Sequence, residues 1–160
     1  MAKAIKTNVL RHLDALKIPY ETREYTVDDD NFDGKLVAEK VDLPAEMIYK
    51  TLVLVGDTLP HLVCVIPVEL ELDLKAVARA AGCKSVHMLP QKDLLPLTGY
   101  LRGGCSPIGM KKQFPTVIQE DAKELEYMHV SGGKLGMQIR LAPQDLQKVA
   151  KAEFADVIRP

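Results

Sequence analysis

The sequence TLVLVGDTLPHLVCVI occupies residues 51–66 and gives the strongest indication of secondary structure in the chain. Leu52 to Val55 and Leu62 to Ile66 are nearly continuous apolar runs rich in β-forming residues, and Gly56 to Pro60 joins them with turn formers. Strands without polar alternation are typically buried on both faces. The segment therefore predicts a β-hairpin at the centre of a sheet.

Helices are predicted on either side of this hairpin. Asp73 suits an N-cap and Gly82 suits the position after the last turn, which predicts a helix between them. A first helix should end before Pro19, because the residue before a proline is disfavoured in a helix. A last helix should begin at Pro143, because proline is well suited to the first turn of a helix. The apolar stripe of the first helix consists of Ile5, Val9, Leu13 and Leu16.

The predicted strands occur in consecutive groups with helices between the groups. This order favours an α+β fold with a mixed, largely antiparallel sheet over a doubly wound parallel one. The remaining predicted strands are Tyr20 to Tyr25 at an edge, Val86 to Met88, Thr116 to Gln119, Glu126 to Val130 and Met137 to Leu141, with short helices after Gly34 and over Pro90 to Leu97.

Composition narrows the class of protein. The 160 residues predict a single domain over 1–160, and a net charge of -1 excludes a globally basic nucleic-acid binder, so no DNA partner is expected. The apolar runs are far shorter than the ~20 residues of a membrane helix, and no signal peptide is visible. The 3 cysteines are odd in number and widely spaced, which favours a reducing cytoplasm.

The sequence offers little indication of a metal-binding site or of a nucleophilic catalytic residue. His61 and Cys64 are three apart on a predicted strand and so point to opposite faces, which excludes one shared ion. No other metal-ligand spacing occurs, and neither a metal nor a cofactor is expected. Cys105 lies in a glycine-rich segment where a nucleophile could stand, but no histidine base is apparent; we interpret it first as a loop residue.

The segment from Gly99 to Lys112 is the most informative for function. Its first eleven positions hold four glycines and one proline, so main-chain amides there can approach a ligand closely. A tight connection between strands would explain the glycines equally well. Lys50, just before the hairpin, and the turn Ser131 to Lys134 are two further candidates, for which a solvated lysine and a hairpin turn are the structural alternatives.

The order of three segments resembles a known family over essentially the whole chain. They are Tyr49 to Leu52, then Gly99 to Lys112, then Val130 to Gly136. This order resembles the YbaK-type Cys-tRNA(Pro) deacylases of the prolyl-tRNA editing-domain superfamily. The family's G-x-x-x-P loop falls on Gly103 to Pro107, and its invariant lysine falls on Lys50. The resemblance implies a partly barrel-like sheet flanked by helices.

The resemblance also implies roles for individual residues. Lys50 and Gly103 would be catalytic, Lys50 beside the carbonyl or the terminal adenosine and Gly103 through its amide. Many relatives carry an acidic residue at the position of Gln138. The implied substrate-binding residues are Tyr25, Phe32, Thr51, Gly104, Ser106, Pro107, Ser131, Gly132 and Gln138, and the implied tRNA contacts are Arg102, Lys111, Lys112 and Lys134.

The activity implied is trans-editing of mischarged tRNA at its acceptor end, with prolyl-tRNA synthetase as a protein partner. Cysteine and proline differ too little in size for one pocket to separate them by more than about 1–3 kcal/mol, so a second site must clear the error. In this family the substrate's own thiol attacks the ester, so no protein nucleophile is expected. Two alternatives remain: another aminoacyl-tRNA deacylase of the same fold, such as one for Ala-tRNA(Pro), or a non-enzymatic module that binds a nucleotide or an RNA end.

Overall fold

The computed structural model describes residues 6–25 and 43–160. The predicted hairpin forms as expected. Strand β2 (Tyr49–Gly56) pairs antiparallel with β3 (Leu62–Pro67), and every residue of β3 is buried. The Gly56 amide closes the turn on the Leu59 carbonyl at 2.9 Å. The hairpin therefore occupies the middle of the larger sheet.

That sheet has five strands in the order β4-β2-β3-β5-β8. Strand β4 (Val86–Met88) pairs antiparallel with β2, whereas β5 (Thr116–Gln119) pairs parallel with β3. Strand β8 (Ala152–Ala155), which the sequence analysis missed, adds a second parallel pairing beside β5. The predicted β4 and β5 are thus confirmed, and β8 completes the edge.

A smaller sheet has the order β1-β7-β6 and is antiparallel throughout. Its strands are β1 (Glu21–Glu24), β6 (Met128–Ser131) and β7 (Met137–Leu141). Strand β6 begins two residues later than predicted, and β1 lies at the edge as expected. The mixed, largely antiparallel α+β class is confirmed. Within the described residues neither sheet closes into a barrel, and one parallel bridge between Ile48 and His129 connects β2 to β6.

Four helices lie against the sheets in the described part of the chain: α1 (Asn8–Ala15), α2 (Leu74–Ala81), α3 (Leu94–Thr98) and α4 (Pro143–Ala150). The caps predicted for α2 are present. Asp73 accepts from the amides of Lys75 and Ala76 at 3.0 and 3.2 Å, and Gly82 adopts a φ of 74°. Pro143 opens α4 as predicted. In α1, Val9 and Leu13 are fully buried, but Leu16 follows the helix and is 48% exposed, which differs from the predicted stripe.

Two apolar clusters lie on opposite faces of the five-stranded sheet. The first includes Val53 and Ile118 from that sheet, Ile139 from the smaller sheet, and Val9 of α1. The second includes Leu54 and Cys64 and is covered by Val77 of α2. No helix in the described ranges is long and apolar enough to span a bilayer. The expected helix after Gly34 falls outside those ranges.

Candidate functional site

The glycine-rich segment from Gly99 to Gly109 forms a folded loop without regular structure, as predicted. Gly103 adopts a φ of 86°, in the left-handed region that favours glycine. The Tyr100 hydroxyl donates to the Ile108 carbonyl at 2.5 Å, and the Ile108 amide donates to the Ser106 hydroxyl at 3.3 Å. Gly103 is exposed, whereas residues 104–108 are buried. The loop is therefore fixed at its far end and presents its first part to solvent.

Three main-chain amides of this loop are unused. The amides of Gly103, Cys105 and Ser106 have no hydrogen-bond acceptor in the described part of the protein, whereas the Gly104 amide donates to the Leu101 carbonyl at 2.9 Å. Unpaired amides beside a surface position are the donors that an anion or a developing oxyanion requires. The loop can therefore bind negative charge through Gly103 and its neighbours.

The loop contacts the turn that follows β6. A Cβ atom on Gly104 would lie 3.0 Å from the Lys134 carbonyl carbon and 3.0 Å from the Leu135 amide nitrogen. Such distances are shorter than ordinary van der Waals contact, so a side chain at position 104 would require the turn to move by a few tenths of an ångström. The structure thereby brings together two segments that are about thirty residues apart in the sequence.

The start of α1 holds both segments in place. The Thr7 hydroxyl donates to the Gly132 carbonyl at 2.6 Å, and the Asn8 side-chain amide donates to the Gly109 carbonyl at 2.8 Å. Thr7 is also the N-cap of α1, since it accepts from the Leu10 amide at 3.3 Å. Neither residue is among the candidates predicted from the sequence. The capping pattern could have identified Thr7, but its bond to Gly132 depends on the tertiary fold.

The turn from Ser131 to Gly136 is held by the Ser131 side chain and is joined to the residue that follows β1. The Gly133 amide donates to the Ser131 hydroxyl at 3.1 Å, and Gly133 has a φ of 97°. The Tyr25 amide donates to the Gly136 carbonyl at 2.8 Å. The Tyr25 side chain packs against Ile48. Tyr25 therefore lies between this turn and the start of β2, and Phe32 falls outside the described residues.

Lys50 and Thr51 point to opposite faces of β2, because strand side chains alternate. Ile48 forms a parallel bridge with His129, so Lys50 and Ser131, each two residues further on, lie on the same side of the two strands. Lys50 is partly buried and takes part in an interaction there. Thr51 faces the first apolar cluster instead, where its hydroxyl is buried and has no partner in the described structure.

Buried polar side chains lie next to one another on β6 and β7 of the smaller sheet, beginning at Ser131. Ser131 faces Gln138 on β7, and His129 faces Arg140. The side-chain oxygen of Gln138 (Oε1) and both ring nitrogens of His129 have no hydrogen-bond partner in the described part of the chain. Burial and the nearby charges of Arg23 and Arg140 lower the pKa of His129 to about 4, so it is neutral at physiological pH. The sequence analysis did not identify His129.

The four predicted tRNA contacts are all exposed, at positions 102, 111, 112 and 134. Arg102 donates to the Gln91 side chain at 3.3 Å, and the Lys111 ammonium donates to the Pro96 carbonyl at 3.2 Å. The Lys134 backbone touches Gly104, which brings this cation beside the loop that holds Arg102. These four exposed cations, which lie in the loop, directly after it and on the adjoining turn, form a basic rim on a chain whose net charge is -1.

The cysteine environments oppose a protein nucleophile. Burial raises the pKa of the Cys105 thiol to about 12, and the same cause raises the pKa of Cys64 to about 12. A thiol with such a pKa carries almost no thiolate at neutral pH. Within residues 6–25 and 43–160, no group of three or more His, Cys, Asp or Glu side chains could hold a metal ion.

The chain is similar to known proteins over most of its length. The sequence model of the aminoacyl-tRNA editing domain matches residues 33–149. A protein from Enterococcus faecalis named as the Cys-tRNA(Pro)/Cys-tRNA(Cys) deacylase EbsC is 47% identical over 152 residues, which is 95% of this chain and 93% of that protein.

Solved structures share the fold. A crystal structure titled as a trans-editing enzyme for prolyl-tRNA synthetase matches with a TM-score of 0.82 at 22% identity, covering 98% of this chain and all of that one (100%). A scaffold protein used for epitope grafting matches with a TM-score of 0.84 at 23% identity, covering 96% of both chains. These likenesses show the fold, and the sequence match shows the family. The chain belongs to the aminoacyl-tRNA editing domain family.

Proposed function

We propose that this protein is a trans-editing hydrolase that removes cysteine from mischarged Cys-tRNA(Pro). The observation that supports the proposal best is the contact of Gly104 with Lys134, between the loop that has three unused amides and the turn that follows β6. The 47% identical relative, which is named as a deacylase of Cys-tRNA(Pro) and Cys-tRNA(Cys), supports the substrate class. The fold and the site together favour ester cleavage at a tRNA end.

The reaction we propose uses the thiol of the substrate as the nucleophile. Its sulfur bonds to the ester carbonyl carbon, the bond from that carbon to the 3′ oxygen of the tRNA breaks, and the thiol proton ends on that oxygen. The products are a free tRNA end and a cyclic thiolactone, which water then opens to cysteine. An intramolecular attack gains effective molarities of about 10⁵ M or more when the groups are well aligned. The protein therefore needs to supply positioning and charge stabilisation, not a nucleophile.

The amides of the loop would supply the charge stabilisation. Negative charge develops on the carbonyl oxygen as the sulfur attacks, and the amides of Gly103, Cys105 and Ser106 have no competing acceptor among the described residues. Each oxyanion donor typically contributes about 3–4 kcal/mol to catalysis. Lys50 would place a positive charge beside the carbonyl or the terminal adenosine. The buried, neutral Cys105 thiol stays outside the chemistry.

The basic rim would contact the phosphates of the acceptor stem. Four exposed cations on a chain with a net charge of -1 predict weak, salt-sensitive binding of tRNA. A complex with prolyl-tRNA synthetase, which brings its own tRNA-binding surface, would raise the effective concentration of the substrate. We therefore propose the synthetase as a partner and the cytoplasm as the location.

A panel of mischarged tRNAs tests the proposal. Purified protein is incubated with Cys-tRNA(Pro), Cys-tRNA(Cys), Ala-tRNA(Pro) and Ser-tRNA(Pro), and release of the amino acid is followed over time. We expect rapid release of cysteine and slow release of serine and alanine, which lack a thiol. Efficient release of alanine would instead identify a deacylase with another specificity. Binding of tRNA without release of any amino acid would identify a binding module.

A further inference from the structure

A cavity of about 200 Å³ lies at the start of β2, on the face of the strand opposite to Lys50. Its apolar walls are formed by Ala45, Pro67, Leu70 and Leu125, and the Tyr49 side chain of β2 also lines it. It is separate from the loop and the turn described above, none of whose residues line it. The lining residues are Ala45, Glu46, Tyr49, Pro67, Glu69, Leu70, Asp121 and Leu125.

All the charged side chains that line this cavity are negative. Glu46, Glu69 and Asp121 contribute three carboxylates, and no lysine or arginine lines it. One oxygen of Asp121 accepts from the Gln119 side chain at 2.8 Å, whereas the Glu46 and Glu69 carboxylates have no ion pair in the described part of the chain. Phosphate groups would be repelled here, so the cavity is unsuited to the tRNA.

A second feature of the cavity is the Tyr49 hydroxyl. Tyr49 is 3% exposed, and its hydroxyl has no hydrogen-bond partner within residues 6–25 and 43–160. Burial and the nearby Asp121 carboxylate raise the pKa of this phenol to about 12, which keeps it neutral at physiological pH. Because Tyr49 lines the cavity, its hydroxyl can hydrogen-bond to water there or to a polar group of a ligand that displaces this water.

We propose that this cavity receives a lysine or arginine side chain of a partner protein. The apolar walls suit the methylene stem of such a side chain, and the carboxylates and the phenol oxygen accept hydrogen bonds from its charged end. Leu70 is 37% exposed while it lines the cavity, and a polypeptide carrying the basic side chain would cover it. A small free amine bound in the cavity would leave the Leu70 side chain exposed to water. The protein would thus bind RNA on its basic rim and a protein at this acidic cavity.

Two small probes test the recognition. The 15N-labelled protein is titrated with N-acetyl-lysine methylamide and, as a matched neutral probe, N-acetyl-norleucine methylamide, and amide resonances are recorded by NMR. We expect saturable shifts at the cavity residues with the lysine probe and none with the norleucine probe. Glu46→Gln/Glu69→Gln/Asp121→Asn should weaken binding at least about tenfold, and Tyr49→Phe at least about threefold. The exposed Glu153→Gln should bind as the wild type does.

The outcomes separate the proposal from its rivals. Equal shifts with both probes, no saturable shift with the lysine probe, or unchanged binding in the charge variants would overturn it. If the triple variant melts early, the exposed single variant Glu69→Gln decides. Tighter binding of spermidine than of a lysine-containing peptide would identify a free polyamine as the ligand. Dimerisation of the wild type in sedimentation, lost in Glu69→Gln, would identify a second copy of this chain. Either result would overturn the assignment to a partner protein.

Discussion

Gly104 lies directly against the main chain of Lys134. The added Cβ of Gly104→Ala would stand 3.0 Å from the Lys134 carbonyl carbon, which is closer than ordinary van der Waals contact, so the loop and the turn would have to move apart by a few tenths of an ångström. Overpacking of this kind typically costs about 1–3 kcal/mol.

Gly104→Ala is therefore expected to reduce single-turnover deacylation of Cys-tRNA(Pro) at least about tenfold, because the loop amides move relative to the turn. Lys134→Ala is the matched control, since it removes the side chain and leaves the backbone contact in place. It should weaken tRNA binding and leave the single-turnover rate at saturation close to that of the wild type. Equal rates in Gly104→Ala and the wild type would show that the contact does not position the amides.

Gly103→Val should cost more activity than Cys105→Ala. Gly103 has a φ of 86°, which a β-branched residue adopts only with strain, so valine would change the path of the loop at its exposed amides. Losing one oxyanion donor typically costs about 3–4 kcal/mol, and we expect a rate at least about a hundredfold lower. The strain at this φ typically costs about 1–2 kcal/mol, so the melting temperature should fall by a few degrees, a smaller loss of free energy than the loss of rate implies. Single-turnover rates and melting curves of both variants provide the measurement; early melting with a retained rate would assign the loop a structural role.

Lys50→Ala should abolish or severely reduce deacylation while the fold stays intact. Lys50 is partly buried at the start of β2, where it places charge and fills no core volume. We expect a loss of at least about a hundredfold in rate. Lys75→Ala, an exposed lysine on α2, serves as the control and should keep full activity. A purified Lys50→Ala protein with the activity and thermal stability of the wild type would remove Lys50 from the site.

The single variants Cys64→Ser, Cys83→Ser and Cys105→Ser should each keep Cys-tRNA(Pro) deacylation within about tenfold of the wild type, or ~1.4 kcal/mol of barrier. The reason is that the attacking sulfur belongs to the substrate, and the pKa of Cys105 is raised to about 12 by burial. Iodoacetamide should likewise leave activity largely intact. Elimination of turnover by Cys105→Ser and by iodoacetamide would require a protein nucleophile.

His129 should make the protein sensitive to mild acid. Its pKa is lowered to about 4 in the folded state, against about 6.5 in the unfolded chain. As the pH falls from 6.5 to 4, the histidine is protonated in the unfolded state while it stays neutral in the folded state. The contribution of His129 to the free energy of unfolding is therefore complete above pH 6.5 and decreases as the pH falls towards 4. The loss is about 3 kcal/mol at its largest.

His129→Phe should flatten this dependence. The free energy of unfolding in urea, measured at pH 7 and near pH 4.5, should differ less in this variant than in the wild type. His87→Gln, which changes an exposed histidine on β4, is the control and should keep the wild-type slope. The same slope in His129→Phe and the wild type would exclude His129 as its source.

The elements that the sequence predicted correctly are those with a local physical cause. The central hairpin follows from two apolar runs around a turn, and α2 follows from an N-cap at Asp73 and a glycine at 82. The glycines of the 99–109 loop likewise indicated its irregular path. Strand β8 escaped prediction because Ala152–Ala155 is only four residues long and includes two alanines, which are poor strand formers, and its strand conformation depends on pairing with β5.

For the site, local patterns in the sequence identify candidate residues, whereas the contacts between those residues depend on the tertiary fold. The motif order singled out Lys50, Gly103 and Ser131, because glycines and a strand-end lysine have recognisable local patterns. The contact of Gly104 with Lys134, the burial of His129 and the acidic cavity beside Tyr49 have no local pattern. Each depends on strands far apart in the chain being packed together, so burial, charge and spacing there are set by the fold as a whole.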